Sequence, residues 1–418
     1  MFKRNDINQM LEHKIKTDTL KKTINTNKLK VGVISDTQLP PKPLGAADTY
    51  PNSLRKALKV LKNQKVDIIL FAGDIGDLGT KYAFKTFKNI FNEVYSDEKP
   101  IFQIIMGNHD YWNKSLWSAI NHKKAFRNIF EKSPWSHYVV NGIHFIGASP
   151  YNGNMTAGYD KITKWLDEEI IKAESDNSEN PIFVMTHNQP KNTSYGSEDW
   201  GDTTLDAAFS KHPNVINLSG HVHYPVLDER SIWQGKYTVI NTQSLSYTEL
   251  EKGKENGTIP PNAEDTPMGY IIEITESDIT FLRINFAKGE NGYEEKENMR
   301  WTLKRPYSQS CFKYTNERIN ANEAPTMTAS EGDYKIVDEK IVLSFCAGKD
   351  DDFVHSYKLC FDDNSIQYYF SDFYNGIDDM KEKVSIELKN PPKEIHNIKI
   401  YAVDTWGKES KECVTIKL

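Results

Sequence analysis

Five short polar motifs follow runs of apolar residues that are typical of β-strands. The apolar runs cover residues 30–35, 66–72, 101–106, 181–185 and 215–219. The motifs that follow them are Asp36-Thr37-Gln38, Gly73-Asp74, Gly107-Asn108-His109-Asp110, Met185-Thr186-His187-Asn188 and Gly220-His221-Val222-His223. Because the carboxyl ends of strands form the ligand crevice in α/β folds, motifs spread over nearly two hundred residues are predicted to meet at one point.

The residue types indicate a site for divalent metal ions. Carboxylate and amide oxygens together with neutral imidazole nitrogens suit hard and borderline ions, whereas a thiolate site would need cysteines near these motifs. All four cysteines lie in the last quarter of the chain. Two ions about 3.5–4 Å apart activate water and hold the oxygens of a phosphoryl group. The motifs therefore predict metal-assisted phosphoester hydrolysis, with Asp74 as the bridging carboxylate.

These motifs resemble those of the calcineurin-like metallophosphoesterases over roughly residues 30–290. The resemblance implies an α/β fold, a four-layer α/β/β/α sandwich, and attack by a hydroxide that bridges two metals. It implies that the first metal is bound by Asp36, Gln38, Asp74 and His223. It implies that the second is bound by Asp74, Asn108, His187 and His221. His109 would then be the general acid that protonates the leaving group, and Asp110 would orient its imidazole.

The first motif differs from the commonest family pattern, which begins Asp-x-His, because this chain has Gln38 at the third position. A glutamine carbonyl is a neutral oxygen ligand, weaker than imidazole for zinc or iron but suited to manganese or magnesium. We therefore expect a looser first site. The expected cofactors are two divalent ions, with manganese first and iron, zinc or magnesium as alternatives.

The expected substrate is a small-molecule or lipid phosphoester. Tyr111 and Trp112 follow the His109-Asp110 pair directly and are the predicted substrate contacts, since loops on a rigid scaffold carry function. Monoester and diester stay open, because both need the same nucleophile. A second hypothesis is a catalytically weak or inactive metal-binding protein whose C-terminal sandwich mediates surface or partner binding. The presence of His109 argues against this hypothesis, since a structural metal pair needs no proton donor.

Composition indicates an ordinary globular protein, and the length of the chain predicts two domains. The chain has 418 residues, of which 38% are hydrophobic and 26% charged. The net charge of −6 does not indicate the basic surface that a nucleic-acid-binding protein needs. No apolar run in the sequence is long enough to cross a membrane. Scattered cysteines in a chain of this size predict free thiols. The oligomeric state is left open.

Residues 1–29 are predicted to be a leader that is helical or frayed, because their apolar residues are isolated between Lys and Asn. They lack the continuous apolar core of a secretory signal. A cytoplasmic location is therefore the default expectation, and an extracellular one stays open if the N-terminus is processed.

The apolar spacing predicts helices at residues 53–63, 81–91 and 160–173. Consecutive strands at residues 236–241, 270–274 and 279–286 predict a second, mixed or antiparallel sheet. The catalytic domain is predicted to cover residues 30–290.

Residues 291–324, rich in polar residues, are predicted to be a linker, and residues 325–418 a small all-β sandwich. The sandwich prediction depends on six strand-like runs separated by turn residues, at residues 340–345, 354–361, 366–370, 384–388, 395–403 and 413–417. The closing stretch from Tyr401 to Ser410 resembles the last hairpin of fibronectin type III-like modules.

Overall fold

A computed structural model of the protein describes residues 15–43, 49–113, 119–288, 300–376 and 380–418. The strands before residue 305 are β1 Asp18–Lys22, β2 Leu29–Ile34, β3 Ile68–Phe71, β4 Ile101–Ile104, β5 Trp135–Val140, β6 Ile143–Ala148, β7 Ile182–Thr186, β8 Val215–Ser219, β9 Ile232–Gln234, β10 Thr238–Asn241, β11 Met268–Ile274, β12 Asp278–Asn285 and β13 Arg300–Lys304. The helices are α1 Thr49–Asn63, α2 Lys81–Val94, α3 Ala119–Phe130, α4 Thr163–Asp176, α5 Ser197–Trp200, α6 Asp206–Phe209 and α7 Arg318–Ala321.

These strands form two mixed sheets in the described part of the chain. One has the order β1-β5-β6-β7-β8-β10-β9, and the other has the order β13-β12-β11-β2-β3-β4. The neighbours β2, β3 and β4 are parallel, as are β6, β7, β8 and β10. The five strands that precede the motifs therefore end at the same edge of their own sheet.

The sheets pack face to face with helices on both outer surfaces. Val33 and Phe183 belong to the core between the sheets. The adjacent residue Ile34 points to the opposite face of β2, as strand geometry requires, and packs in the core beneath α1, α2 and α3. Helix α4 buries Trp165, Leu166 and Ile170 against the outer face of the other sheet. This arrangement is the expected four-layer α/β/β/α fold.

Helix α2 illustrates how local sequence sets an element. The hydroxyl of Thr80 accepts a hydrogen bond from the Ala83 backbone N–H at 3.1 Å and so caps the first turn. Phe84, Phe87 and Phe91 follow at helical spacing and are buried. The three predicted helices are confirmed to within a few residues, except that α1 begins at Thr49.

The predicted grouping of the three consecutive strands is wrong. β10 joins the sheet of β8 as a parallel neighbour, whereas β11 pairs antiparallel with β2 in the other sheet. The strands that follow the last motif therefore complete both sheets and do not form one of their own. Pairing between residues so distant in the chain leaves no local signal in the sequence.

The C-terminal part is all-β. Its strands are β14 Thr326–Met327, β15 Asp333–Val337, β16 Lys340–Cys346, β17 Gly348–Lys349, β18 Ser356–Phe361, β19 Ile366–Phe370, β20 Lys383–Glu387, β21 Asn397–Val403 and β22 Val414–Lys417. They form sheets with the orders β15-β16-β20, β19-β18-β21-β22 and β14-β17 around one apolar core. All six strand-like runs are confirmed, while β14, β15 and β17 went unpredicted.

Two segments outside the motifs differ from expectation. Asp18–Lys22, inside the expected helical or frayed leader, is strand β1 and pairs with β5. β13, inside the expected linker, pairs with β12. Residues 1–14 and 291–299, which belong to the same two expected segments, lie outside the described residues. All four cysteines are free, as predicted, and no helix in the described ranges is both long and apolar enough to span a bilayer.

Candidate metal centre

The motifs of both sheets meet at one buried cluster. Ligand atoms of Asp36, Asp74 and His187 all lie within 4.8 Å of one another, and the three side chains are buried. Asp36 follows β2 and Asp74 follows β3 in one sheet, whereas His187 follows β7 in the other. The cluster therefore lies where the carboxyl ends of the two sheets come together.

The Asp74 carboxylate lies at the centre of this cluster. It accepts hydrogen bonds from Gln38 Nε2 and from the His109 backbone N–H, each at 3.0 Å. His187 Nε2 is 3.3 Å from Asp74 Oδ2. Burial alone raises the pKa of Asp74, but the charges of His187 and His109 outweigh it and hold the pKa well below its ordinary value. Asp74 is therefore an anion that faces both halves of the site.

Asp36 joins the first motif to the last. His223 Nε2 is 3.2 Å from Asp36 Oδ1, and the backbone N–H of His221 donates to the same carboxylate at 3.1 Å. His223 Nδ1 contacts the carbonyl of Tyr247 at 3.1 Å. Since a carbonyl only accepts, Nδ1 carries the proton and Nε2 is the atom turned toward Asp36.

His187 is held in the same way. Its Nδ1 lies 2.8 Å from the carbonyl of Ala72, and its Nε2 lies 2.9 Å from Asn108 Oδ1. Burial alone lowers the pKa of His187, but the carboxylates of Asp74 and Asp36 outweigh it and raise the pKa to about 9. A protonated imidazole between two carboxylates occupies a position where a cation is electrostatically favoured.

Two buried atoms indicate that the cluster suits metal ions. Gln38 Oε1 and His221 Nε2 are buried and have no hydrogen-bond partner in the described ranges of the chain. Burial, followed by the charge of His187, lowers the pKa of His221 well below its ordinary value. A neutral imidazole nitrogen and an unpartnered amide oxygen are electron-pair donors that a divalent ion would satisfy. The residues present therefore fit the implied metals.

The backbone at the site is in an uncommon conformation. Five of the predicted ligands have positive φ angles between 44° and 75°, namely Asp36, Gln38, Asp74, His221 and His223. Side chains other than glycine rarely adopt this left-handed region, and such strain is concentrated at functional sites. Gly107 and Gly220 permit the close approach: a Cβ at either would come within 2.1 Å of a carboxylate oxygen, of Asp74 or Asp36 respectively.

His109 lies at the solvent side of the cluster. Its Nε2 is 3.9 Å from Asp74 Oδ2, and its side chain is 24% exposed. Its Nδ1 contacts the carbonyl of Asp77 at 2.9 Å and lies 3.8 Å from the carboxylate of the same residue. The ring also packs on Trp112, with 4.0 Å between centroids. These contacts hold the imidazole with Nε2 toward the site.

Asp110 has different partners from those expected. Its carboxylate accepts from the backbone N–H groups of Gly107, Ile75 and Gly76, at 2.9, 3.2 and 3.1 Å. Burial, together with the charge of Asp74, raises the pKa of Asp110 to about 8, and the three donors oppose that rise. Asp110 thus ties two motif loops together, while Asp77 contacts the imidazole. Asp77 was missed, although its position three residues after Asp74 was a usable signal.

The two predicted substrate contacts differ in exposure. Tyr111 is buried, and its hydroxyl donates to the carbonyl of Pro150 at 2.7 Å. Trp112 is 38% exposed, and its indole N–H donates to the carbonyl of Gly153 at 3.0 Å. Trp112 therefore has an accessible surface beside His109. Tyr111 is instead a buried residue that links its loop to Pro150.

The part of the chain that carries this site is similar to known proteins. No curated protein matches the chain in sequence. Among solved structures, the protein is similar to a dimetal phosphatase from Danio rerio, with 11% identity, a TM-score of 0.43, and coverage of 66% of this chain and 99% of that one. It is also similar to a purple acid phosphatase from yellow lupin (Lupinus luteus) seeds, with 12% identity, a TM-score of 0.45, and coverage of 67% and 54%. The family model of the calcineurin-like phosphoesterases matches residues 29–225 of this chain, a stretch that contains all five motifs.

Proposed function

We propose that the protein is a metal-dependent phosphoesterase that hydrolyses a small-molecule or lipid phosphomonoester or phosphodiester. The observation that carries this proposal is the buried cluster of Asp36, Asp74 and His187, in which electron-pair donors of Gln38 and His221 lack partners within the described residues. Such a set of oxygen and imidazole ligands suits divalent ions. A purely structural cluster would instead pair its buried polar atoms with one another.

We assign Asp36, Gln38, Asp74 and His223 to the first metal site. We assign Asp74, Asn108, His187 and His221 to the second. When bound, two divalent ions polarise the phosphoryl oxygens and make water a nucleophile at neutral pH. Asp74 contacts both halves of the cluster and is the proposed bridge. Manganese is the expected metal, because Gln38 offers a neutral oxygen where the family commonly has histidine.

We assign the proton transfer to His109. The Asp77 carbonyl can only accept, so it keeps a proton on Nδ1 and leaves Nε2 as the atom that exchanges a proton with the ester. Partial exposure lets a leaving oxygen reach Nε2. The Asp77 carboxylate also lies on this side of the ring, 3.8 Å from Nδ1. In this assignment Asp77 takes the orienting role that the sequence suggested for Asp110, and Trp112 lines the substrate side.

The test is metal reconstitution followed by a substrate screen. Metal-free protein is loaded with manganese, zinc or iron, its metal content is measured, and it is assayed on nitrophenyl phosphate, bis-nitrophenyl phosphate, cyclic nucleotides and phospholipid head groups. We expect two bound ions and hydrolysis of at least one ester class. Asp74→Asn should lose metal and activity, whereas Asp97→Asn, at an exposed carboxylate, should lose neither.

Two results would overturn the proposal. A protein that retains no ion under any loading condition has no such metal centre. A protein that binds two ions but hydrolyses none of these esters supports the alternative of a catalytically inactive metal-binding protein.

A further inference from the structure

The segment between β10 and β11, residues 242–267, contacts the first proposed metal site. We call it the connecting segment. Its Ser244 hydroxyl donates to the Asp36 carbonyl at 3.1 Å. The carbonyl of Tyr247 contacts His223 Nδ1 at 3.1 Å, and the Glu249 N–H donates to the His223 carbonyl at 3.1 Å. The connecting segment therefore fixes the position of the His223 backbone and keeps the proton of its imidazole on Nδ1.

The middle of the same segment is bound by the C-terminal β-domain. The N–H of Glu255 donates to the carbonyl of Tyr368 at 2.8 Å. The Asn256 amide pairs with the backbone of Phe370 in both directions: its Oδ1 accepts from the Phe370 N–H at 2.9 Å, and its Nδ2 donates to the Phe370 carbonyl at 3.3 Å. The Tyr374 hydroxyl donates to the carbonyl of Pro261 at 3.1 Å.

Apolar packing supports these hydrogen bonds. Leu250 is fully buried in a cluster with Phe353, Phe370, Phe373 and Tyr374, all four of which belong to the C-terminal domain. The connecting segment has little helix or strand of its own. Its backbone conformation therefore depends on the surfaces that it contacts. Here those surfaces are the metal cluster at one end and the C-terminal domain in the middle.

We propose that the C-terminal β-domain positions the first metal site through the connecting segment. The inference rests on the proposed function in one respect, namely that His223 binds a metal. His223 has a φ of 57°, a conformation that persists only where the surroundings hold it. Contacts that orient a ligand histidine tune its metal affinity, because they fix which ring nitrogen faces the ion. The C-terminal residues Phe370 and Tyr374 are thus positioning residues for the site.

The test compares metal binding in two amide variants. Asn256→Ala removes both hydrogen bonds to Phe370, and calorimetric titration of metal-free protein with Mn²⁺ should show about 10–100-fold weaker binding at the looser site, with the tighter site near wild type. Gln367→Ala is the matched control. Its amide donates to the carbonyls of Lys389 and Asn390 inside the C-terminal domain, so it should bind both ions as wild type does.

A second readout does not depend on catalysis. In metal-free protein, hydrogen exchange of residues 247–261 should be faster in Asn256→Ala than in wild type and unchanged in Gln367→Ala. Asn256→Asp keeps an acceptor for the Phe370 N–H and should recover part of the affinity. Tyr374→Phe removes only the hydroxyl that donates to the carbonyl of Pro261, so it should weaken metal binding less than Asn256→Ala does.

The outcomes separate this proposal from the proposed function. If Asn256→Ala binds both ions like wild type, or if Gln367→Ala weakens the first site equally, the positioning role is wrong even when esters are hydrolysed. If wild type binds two ions but hydrolyses no ester, the proposed function fails while the titration still decides the positioning role. If wild type binds no ion, both proposals are overturned.

Discussion

Replacing Gly107 with alanine should disturb the centre of the site with the smallest change available. The new Cβ would lie 2.1 Å from Asp74 Oδ1 and 2.5 Å from the Asp74 backbone nitrogen, where ordinary contacts begin at 3.4 Å. The Asp74 carboxylate or the Gly107 backbone must therefore move by about 1 Å. Misplacement of that size costs roughly 10²-fold in turnover. Overpacking should also lower the free energy of unfolding by about 1–3 kcal/mol.

Turnover on the best ester from the screen, calorimetric metal binding and urea unfolding together measure these effects. Gly407→Ala is the control: its φ of 85° strains any side chain, but a Cβ there meets nothing within 4 Å. It should cost about 1 kcal/mol of stability and leave turnover and metal binding unchanged. If Gly107→Ala retains turnover and metal affinity within twofold of wild type, Asp74 is not packed against this loop as described.

His109→Ala should keep both ions yet lose about 10²–10⁴-fold in turnover on alkyl phosphates, and far less on nitrophenyl esters, whose leaving group needs no proton. Equal losses on both ester types would show that His109 has another role. Gln38→His should tighten zinc at the first site, measured by competition with a chelator, because imidazole replaces a neutral carbonyl; weaker zinc binding would mean that Gln38 is not a ligand. Glu251→Gln should make the free energy of unfolding less dependent on pH in the acid range. Burial alone raises the pKa of Glu251, but His355 and then Lys254 outweigh it and lower the pKa to about 2 from 4.5. The stabilisation is thus complete above pH 4.5 and lost as pH falls toward 2. Urea unfolding from pH 7 to pH 2.5 tests this, and a parallel profile in the variant would contradict it.

The sequence alone was enough for the features that depend on neighbouring residues. Apolar runs followed by Asp, Asn, His or Gly mark strand ends, so the strands before Asp36, Asp74 and His187 were predicted from local pattern. The same is true of α2, whose cap and phenylalanine spacing are local, and of most C-terminal strands. The predicted meeting of the motifs followed from one general property of α/β sheets, that parallel strands end at a common edge.

Tertiary structure decided what depends on distant pairing. No local pattern shows that β1 pairs with β5, that β11 joins β2, or that the connecting segment touches the C-terminal domain. The same limit applies to side chains at the site. Asp110 is adjacent to His109 in sequence, yet its carboxylate is bound by backbone donors, and the imidazole lies against Asp77. The sequence shows residue types and the spacing of apolar residues along the chain. The contact partners of each side chain depend on how the two sheets pack, because that packing brings distant parts of the backbone together.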